Sequence, residues 1–155
     1  KDDTRREGHL MATRKARTAW EGSLQEGGGQ VELTSSGTGT FDVTFPRRIA
    51  ETAEGTSPEE LIAAAHASCF AMQLSGFLGE AGFTPERLEV TADVTVGPDP
   101  DDGGLHLTLI KLTVRGEVPG IEEAQFVELA DKTKVGCPVS KALSVVPMEL
   151  DAALD

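Results

Sequence analysis

Alternation of hydrophobic and polar residues predicts three short strands in the first third of the chain. In TFDVTFP, Phe41, Val43 and Phe45 alternate with polar residues, and the pattern ends at Pro46. Such alternation predicts a half-buried β-strand, which a proline cannot continue inside a sheet. The segments RTAWEGSL and QVELTSS predict two further strands, connected by the glycine-containing turn QEGGG.

The longest apolar segment predicts a buried helix. Ser57 and Glu60 have the spacing of a capping box, and Pro58 suits the first helical position. The helix is expected to end at about Gly79–Gly82. No formally charged side chain lies between Glu60 and Glu80. A helix that is apolar on every side needs cover on every side, here from a sheet or from a partner subunit.

Two longer strands follow this helix. Strict alternation runs through Leu88–Val96, and a glycine- and aspartate-rich turn leads into the next strand. In that strand the apolar positions are Leu105, Leu107 and Leu109, followed by Ile110, Leu112 and Val114. Because side chains alternate between the faces of a strand, this one-residue shift predicts a β-bulge near Leu109–Ile110.

The last quarter of the chain predicts a helix, a helical turn and a strand. The helix, amphipathic this time, is expected over about Ile121–Val135, with Gly136 ending it. Its expected buried residues are Ala124, Phe126 or Val127, and Leu129 with Ala130. Cys137 is then the N-cap of a short helical turn that begins at Pro138. VVPMEL predicts a short edge strand, because it contains a proline.

These elements predict an α+β fold in which antiparallel sheets are wrapped around two central helices. Residues 11–155 are expected to form a single domain, since the chain is long enough for a sizeable core. Residues 1–10 precede a methionine and are interpreted as a cloning remnant or a disordered N-terminal extension.

The charge of the chain excludes some classes of partner. A formal net charge of −12 disfavours nucleic acid, whose phosphates need clusters of lysine and arginine, and it disfavours an anionic membrane surface. Neither a signal peptide nor an apolar run of membrane-spanning length is recognised in the sequence. A cytoplasmic location is therefore expected.

The two cysteines, Cys69 in AHASCFAMQL and Cys137 in KVGCPVSKAL, are the candidate chemistry. In a reducing cytosol a lone pair of cysteines is more often redox-active than structural. A free cysteine that only packs in the core is an equally ordinary interpretation. His66 shares a helix face with Cys69, so these two residues and Cys137 could also bind a metal ion, although no C-x-x-C or H-x-x-x-H pair supports this.

A reactive Cys69 needs a nearby cation, because burial in an apolar helix raises the pKa of a thiol. The nearest candidates are Arg47 and Arg48, in the loop before the helix. A fixed guanidinium needs a carboxylate partner, which Glu59 or Glu60 offers. Glu59 precedes Cys69 by about 15 Å along the helix axis. It can therefore hold an arginine but cannot touch the thiol.

The position of Cys137 at the start of a helical turn favours a thiolate, since free backbone N–H groups point toward it. Lys132, Lys134 and Lys141 are close in sequence and predict a locally basic pocket. A plain N-cap role is the alternative.

Several segments together resemble one known family. GTSPEELIAAAHASCFAMQLSGFLGEAGFTP, TADVTV, VPGI and VGCPVS, in this order, are similar to the osmotically inducible protein C (OsmC) family, sister to the organic hydroperoxide resistance (Ohr) proteins. The similarity extends from about Trp20 to Leu150. SPEEL and AAAHASCF favour the OsmC branch, since Ohr proteins typically have glutamine after the glutamate and tyrosine in place of His66.

The resemblance implies a thiol-dependent peroxidase that reduces organic hydroperoxides, and hydrogen peroxide more weakly, in oxidative or osmotic stress defence. Cys69 corresponds to the peroxidatic cysteine and Cys137 to the resolving cysteine. Glu59 corresponds to the glutamate that holds the activating arginine. That arginine is assigned to Arg48, with Arg47 as the alternative.

The resemblance also implies an intertwined homodimer with active sites at the subunit interface, which would cover the apolar helix. No cofactor or metal is expected; a lipoyl-type or other external dithiol would reduce the disulfide. Neither nucleic acid nor membrane is an expected partner.

Two other classes of function stay open from the residues themselves. One is a hydrolase or acyltransferase built from Cys69, His66 and Glu59. The other is a non-enzymatic dimeric binder of hydrophobic small molecules.

Overall fold

A computed structural model describes residues 11–155, so the interpretation of residues 1–10 lies outside the described residues. The described chain forms two compact units, residues 11–57 and 58–155. The first unit contains β1 (Arg17–Glu21), β2 (Gly28–Glu32), β3 (Thr40–Val43) and α1 (Phe45–Arg48). The second unit contains α2 (Pro58–Glu80), β4 (Arg87–Pro98), β5 (Leu105–Glu117), α3 (Glu123–Gly136), α4 (Pro138–Ala142) and β6 (Met148–Leu154). The α+β class predicted from the sequence is confirmed. That residues 11–155 form a single domain stays a prediction.

The first unit is a three-stranded antiparallel sheet in the order β1-β2-β3, followed by one helical turn. Strand β3 ends at Val43, earlier than the alternating pattern predicts. The hydroxyl of Thr44 accepts a hydrogen bond from the Arg47 N–H at 3.3 Å, and Pro46 lies in the first turn of α1. Thr44 therefore caps a helix, and the proline that was expected to end a strand helps to begin α1.

Helix α2 has the predicted extent, but only one of its faces is buried. His66, Phe70, Leu74 and Leu78 follow one another at helical spacing and are all inaccessible to solvent. On another face, Met72 is 74% exposed. Cover on every side of α2 was expected, but residues 11–155 cover one of its faces.

Helix α2 is also long and apolar enough to cross a membrane, with a mean hydropathy of 1.5 over 18 residues. The expectation that the chain has no apolar run of this length is therefore wrong. Central helices of soluble proteins meet the same criterion, so the property alone does not distinguish the two classes.

The second unit contains a three-stranded sheet in the order β4-β5-β6. Its register shifts between Thr95 and Val96, which pair with Leu109 and Leu107, so Thr108 is the extra residue of a bulge. The bulge predicted near Leu109–Ile110 is confirmed to within one residue. Strand β6 is an edge strand as predicted, but it pairs with β5 in parallel, whereas the sequence analysis expected antiparallel sheets.

The core of the second unit lies between this sheet and helices α2 and α3. Its fully buried members include Ile110, Leu112 and Val114 of β5, together with Phe70 and Phe126. On α3, the expected burial of Phe126 and Ala130 is confirmed, whereas Ala124 is exposed. Thr133 takes the next buried position instead.

Thr133 is a polar residue of α3 that faces the core of the second unit. Its hydroxyl donates a hydrogen bond of 2.7 Å to the carbonyl oxygen of Leu129, one turn earlier. Because this bond satisfies the hydroxyl inside its own helix, Thr133 can be buried without a partner from another element. A pattern based on hydrophobicity alone misses such a position.

Candidate active site

Two elements of the second unit bring the cysteines together. Cys69 lies in the middle of α2, and Cys137 separates α3 from α4. Their sulfur atoms are 3.0 Å apart, within hydrogen-bond distance of each other. Both cysteines are free thiols; Cys137 is buried and Cys69 is half-buried. Since the sulfurs of a disulfide lie about 2.05 Å apart, a shift of roughly 1 Å would allow the bond to form.

The backbone on both sides fixes the position of Cys137. Its N–H donates to the carbonyl oxygen of Thr133 at 2.9 Å, which ends α3, and its carbonyl oxygen accepts from the N–H of Lys141 at 2.9 Å. Cys137 is the predicted N-cap of α4, but its sulfur makes no capping hydrogen bond. Pro138 begins α4, as its preference for the first helical position predicts. The sulfur is therefore directed to Cys69 rather than used as a cap.

The thiol of Cys69 is in surroundings that favour its neutral form. Burial raises the pKa of Cys69, and the neighbouring Cys137 raises it further. A hydrogen bond from the backbone N–H of Val139 opposes this increase. Within residues 58–155, no cation is among the groups that shift this pKa. The second unit alone thus places the two sulfurs together but leaves Cys69 mostly protonated at neutral pH.

His66 and Ser140 form a second polar contact beside the cysteines. His66 Nε2 and Ser140 Oγ are 2.7 Å apart, and both side chains are buried. His66 Nδ1 is buried and has no hydrogen-bond partner among the described residues. Burial lowers the pKa of His66, so the ring is neutral at physiological pH. His66 is thus a buried, neutral histidine in the core of the second unit.

Among residues 11–155, the three lysines that were expected to form a basic pocket around Cys137 extend away from its sulfur. The ammonium group of Lys132 lies 4.1 Å from the centre of the Phe77 ring. Lys134 and Lys141 line a cleft of about 450 Å³ that also contains Ser140, but neither cysteine lines it. The lysines are close to Cys137 in sequence, yet they extend from the surfaces of α3 and α4 while its sulfur faces inward.

The two other predicted site residues belong to different units. Arg48 is the last residue of α1 and is half-buried, whereas Arg47 is exposed. Glu59 lies in the first turn of α2, where its side chain is only 6% exposed. That Arg48 activates Cys69, and that Glu59 holds this arginine, stays a prediction. Among residues 11–155, no group of three or more His, Cys, Asp and Glu side chains has a geometry that could bind a metal ion.

The sequence analysis did not predict Val139 or Ser140 as parts of the site. Both belong to α4, and their contacts with α2 join residues about seventy positions apart. One signal was present in the sequence. His66 precedes Cys69 by three residues, and Ser140 follows Cys137 by three residues. If the two cysteines are in contact, this equal spacing can bring His66 and Ser140 into contact as well.

Known proteins were compared with the chain by sequence. The profile of the OsmC-like protein family matches residues 51–151. The peroxiredoxin OsmC of Escherichia coli (strain K12) is 45% identical over 130 residues, which cover 84% of this chain and 89% of the relative. The organic hydroperoxide resistance protein OhrB of Bacillus subtilis (strain 168) is 33% identical over 117 residues, covering 75% of this chain and 83% of the relative.

The fold of the chain is also similar to that of solved structures. The crystal structure of Bacillus subtilis OhrB matches with a TM-score of 0.68 at 26% identity, covering 91% of this chain and 98% of the other. An organic hydroperoxide resistance protein OsmC from Legionella pneumophila matches with a TM-score of 0.72 over 92% of this chain and 99% of the other, and at 24% identity it supports the fold alone. Sequence and fold agree that the chain belongs to the OsmC-like family, and it is a peroxidase with a hydroperoxide-related redox function.

Proposed function

We propose that the protein reduces organic hydroperoxides to alcohols, and hydrogen peroxide more weakly, with Cys69 as the peroxidatic thiol and Cys137 as the resolving thiol. The contact of 3.0 Å between the two sulfurs carries this proposal. A pair of free thiols at this distance can alternate between dithiol and disulfide with little movement of the backbone.

The reaction proceeds in two sulfur-centred steps. The thiolate of Cys69 attacks one oxygen of the peroxide, the O–O bond breaks, and the departing alkoxide takes a proton to become the alcohol. Cys69 is thereby oxidised by two electrons to a sulfenic acid. The sulfur of Cys137 then attacks Cys69, an S–S bond replaces the S–O bond, and the hydroxyl leaves as water with the proton of Cys137. A lipoyl-type or other external dithiol restores both thiols by exchange.

The first step needs positive charge at Cys69, because burial raises the pKa of this thiol. We assign this charge to Arg48 and its positioning to Glu59. Half-burial of Arg48, against exposure of Arg47, supports the choice between the two arginines. Near-complete burial of Glu59 supports a partner for it, since a buried carboxylate without one is costly. A guanidinium would stabilise both the thiolate and the charge that develops on the peroxide oxygens.

The uncovered side of α2 supports an organic substrate and a homodimer. Ala64, Ala65, Ser68 and Met72 are exposed there, beside the half-buried Cys69. An uncharged surface of this kind suits a second copy of the chain, as in the intertwined dimer expected from the family, and an apolar substituent on the peroxide. We place the protein in the cytoplasm, where reducing conditions keep a pair of cysteines as free thiols.

The geometry argues against a hydrolase built from Cys69, His66 and Glu59. The Nε2 atom of His66 is bonded to Ser140, and its lowered pKa makes it a weak base. A general base for a thiol would need a hydrogen bond to the sulfur of Cys69, which instead contacts Cys137 and Val139.

The proposal is tested by thiol counting and turnover with cumene hydroperoxide. One equivalent should remove both thiols of the wild type together and release one alcohol. Cys137→Ser should still consume one equivalent, form a Cys69 sulfenic acid that dimedone traps, and then stop. Cys69→Ser should consume none. If both thiols of the wild type stay titratable after treatment, the protein is a binder or a hydrolase and the proposal is wrong.

A further inference from the structure

Helices α2 and α4 are joined by two side-chain contacts at matching positions. The first is the pair of cysteines at 3.0 Å, and the second is His66 with Ser140 at 2.7 Å. His66 and Cys69 are three residues apart on α2 and share a face, and Ser140 follows Cys137, the N-cap residue of α4, by the same spacing. The histidine–serine contact therefore holds α4 against α2 about one turn away from the sulfurs.

Burial indicates that the histidine–serine contact has more than a stabilising role. His66 is inaccessible to solvent and Ser140 is 2% exposed, and the Nδ1 atom of His66 has no partner among residues 11–155. A buried polar atom without a partner costs free energy, so two apolar side chains of similar volume would stabilise the fold at least as well. What apolar side chains cannot supply is a directional bond that fixes one orientation of α4.

The position of Cys137 depends on such a bond because α4 is short. It has five residues; the N–H of its N-cap residue Cys137 bonds the carbonyl oxygen of Thr133 at the end of α3, and the backbone N–H of Val139 bonds Cys69. A single helical turn has little stability of its own and takes its position from side-chain contacts. Cys69, in contrast, lies in the middle of a helix of 23 residues whose place is fixed by the core.

We infer that His66 and Ser140 form a positioning pair that sets the approach of Cys137 to Cys69 and thereby the rate of disulfide formation. The part of this inference that concerns catalysis rests on the proposed function. After the first step, Cys137 must reach the sulfur of the sulfenic acid along the S–O bond, so that the S–S bond forms as the hydroxyl leaves with a proton as water. A displacement of about 1 Å can slow such an attack by up to about a hundredfold. The first step uses Cys69 alone and does not need the pair.

The test separates the two steps in a single turnover. Wild type, Ser140→Ala, His66→Gln and the double variant react with one equivalent of cumene hydroperoxide and are quenched with dimedone and an alkylating agent. Intact mass then gives the sulfenic acid and disulfide over time. Loss of one hydrogen bond predicts disulfide formation about tenfold slower in Ser140→Ala, with sulfenic acid formation unchanged. Dimedone adducts should accumulate, and excess peroxide should give more Cys69 sulfinic acid.

Matched variants distinguish positioning from a general loss of structure. Ser144→Ala removes an exposed hydroxyl one turn after Ser140 and outside α4, so both rates should equal those of the wild type. Ser140→Thr retains the hydroxyl and should recover most of the rate. Because His66 and Ser140 act as a unit, the double variant should be slowed no more than about twofold beyond Ser140→Ala. A rate of disulfide formation in both single variants equal to that of the wild type overturns the inference.

A second measurement needs no peroxide and keeps the inference separate from the proposed function. Equilibration with oxidised and reduced glutathione gives the effective concentration of one thiol of the pair toward the other. Positioning by His66 and Ser140 predicts that Ser140→Ala and His66→Gln lower this effective concentration by about tenfold. If the wild type fails to react with hydroperoxide while these variants show the decrease, the proposed function is wrong and the positioning stands. If the effective concentration is unchanged, the positioning is wrong.

Discussion

The two units of the chain differ in how they are held together. Among residues 11–57 no side chain is fully buried, and the sheet consists of strands of four or five residues. Residues 58–155 contain the fully buried core and both cysteines. A small sheet without fully buried side chains gains little stability from burial within its own unit. The thiols are thus placed by the unit with a core, whereas the proposed activating arginine comes from the unit without one.

Removing the charge that the first unit is proposed to supply should have the largest effect. We expect Arg48→Gln to slow formation of the Cys69 sulfenic acid by about a hundred- to a thousandfold, because the thiolate and the developing peroxide charge lose their cation. The pKa of Cys69 should rise further above its usual range. Stopped-flow reaction with cumene hydroperoxide across pH measures both, and the rate of the variant should recover partly as pH rises.

Arg47→Gln is the matched control for this substitution. It removes the same charge one residue earlier, from an exposed side chain, and should change the rate by less than about threefold at moderate salt. The reverse result, with Arg47→Gln slow and Arg48→Gln near wild type, would assign activation to Arg47. Equal, near-wild-type rates in both would show that the second unit activates Cys69 without the first.

Removal of a phenylalanine ring should also change the free energy of unfolding differently in the two units. Phe126→Ala removes a fully buried ring of the second unit and should lower the free energy of unfolding by about 3–5 kcal/mol. Phe41 in the first unit is 38% exposed, so Phe41→Ala should cost about 1 kcal/mol or less. Urea unfolding followed by far-UV circular dichroism measures both.

The comparison of these two phenylalanines can also fail. A cost for Phe41→Ala as large as that for Phe126→Ala would show that Phe41 is buried in the assembled protein in solution. Repeating the measurement over a range of protein concentrations tests this, because stability that depends on a homodimer rises with concentration.

Local signals in the sequence predicted the elements well. The extent of α2, the end of α3 at Gly136 and the cap position of Cys137 all depend on glycine, proline and the spacing of apolar residues. The bulge followed from a one-residue shift in the pattern of β5, since period two is a strict constraint. In each case the deciding interactions lie within a few residues along the chain.

Errors in the prediction have long-range causes. The chain passes from β5 through α3 and α4 before β6 pairs with β5 in parallel. The direction of this pairing depends on that long connection and cannot be predicted from a local sequence pattern. Ser140 could not be identified as a partner of His66, because a serine in a helical turn is usually exposed. The lysines near Cys137 were misread for a related reason, since closeness in sequence does not show which way a side chain points.

The smallest predicted effect concerns the acid side of the stability profile and belongs to the second unit. Burial lowers the pKa of His66 from its ordinary value of 6.5, so the native state keeps this ring neutral while the unfolded chain takes up a proton. The contribution of His66 to the free energy of unfolding is fully present above pH 6.5. It decreases as pH falls below this value, by no more than about 1.4 kcal/mol per pH unit. His66→Gln should flatten the profile between about pH 6.5 and 5, measured by urea unfolding. A slope that persists in His66→Gln would show that other groups cause the loss of stability in acid, and that the core around His66 does not resist its protonation.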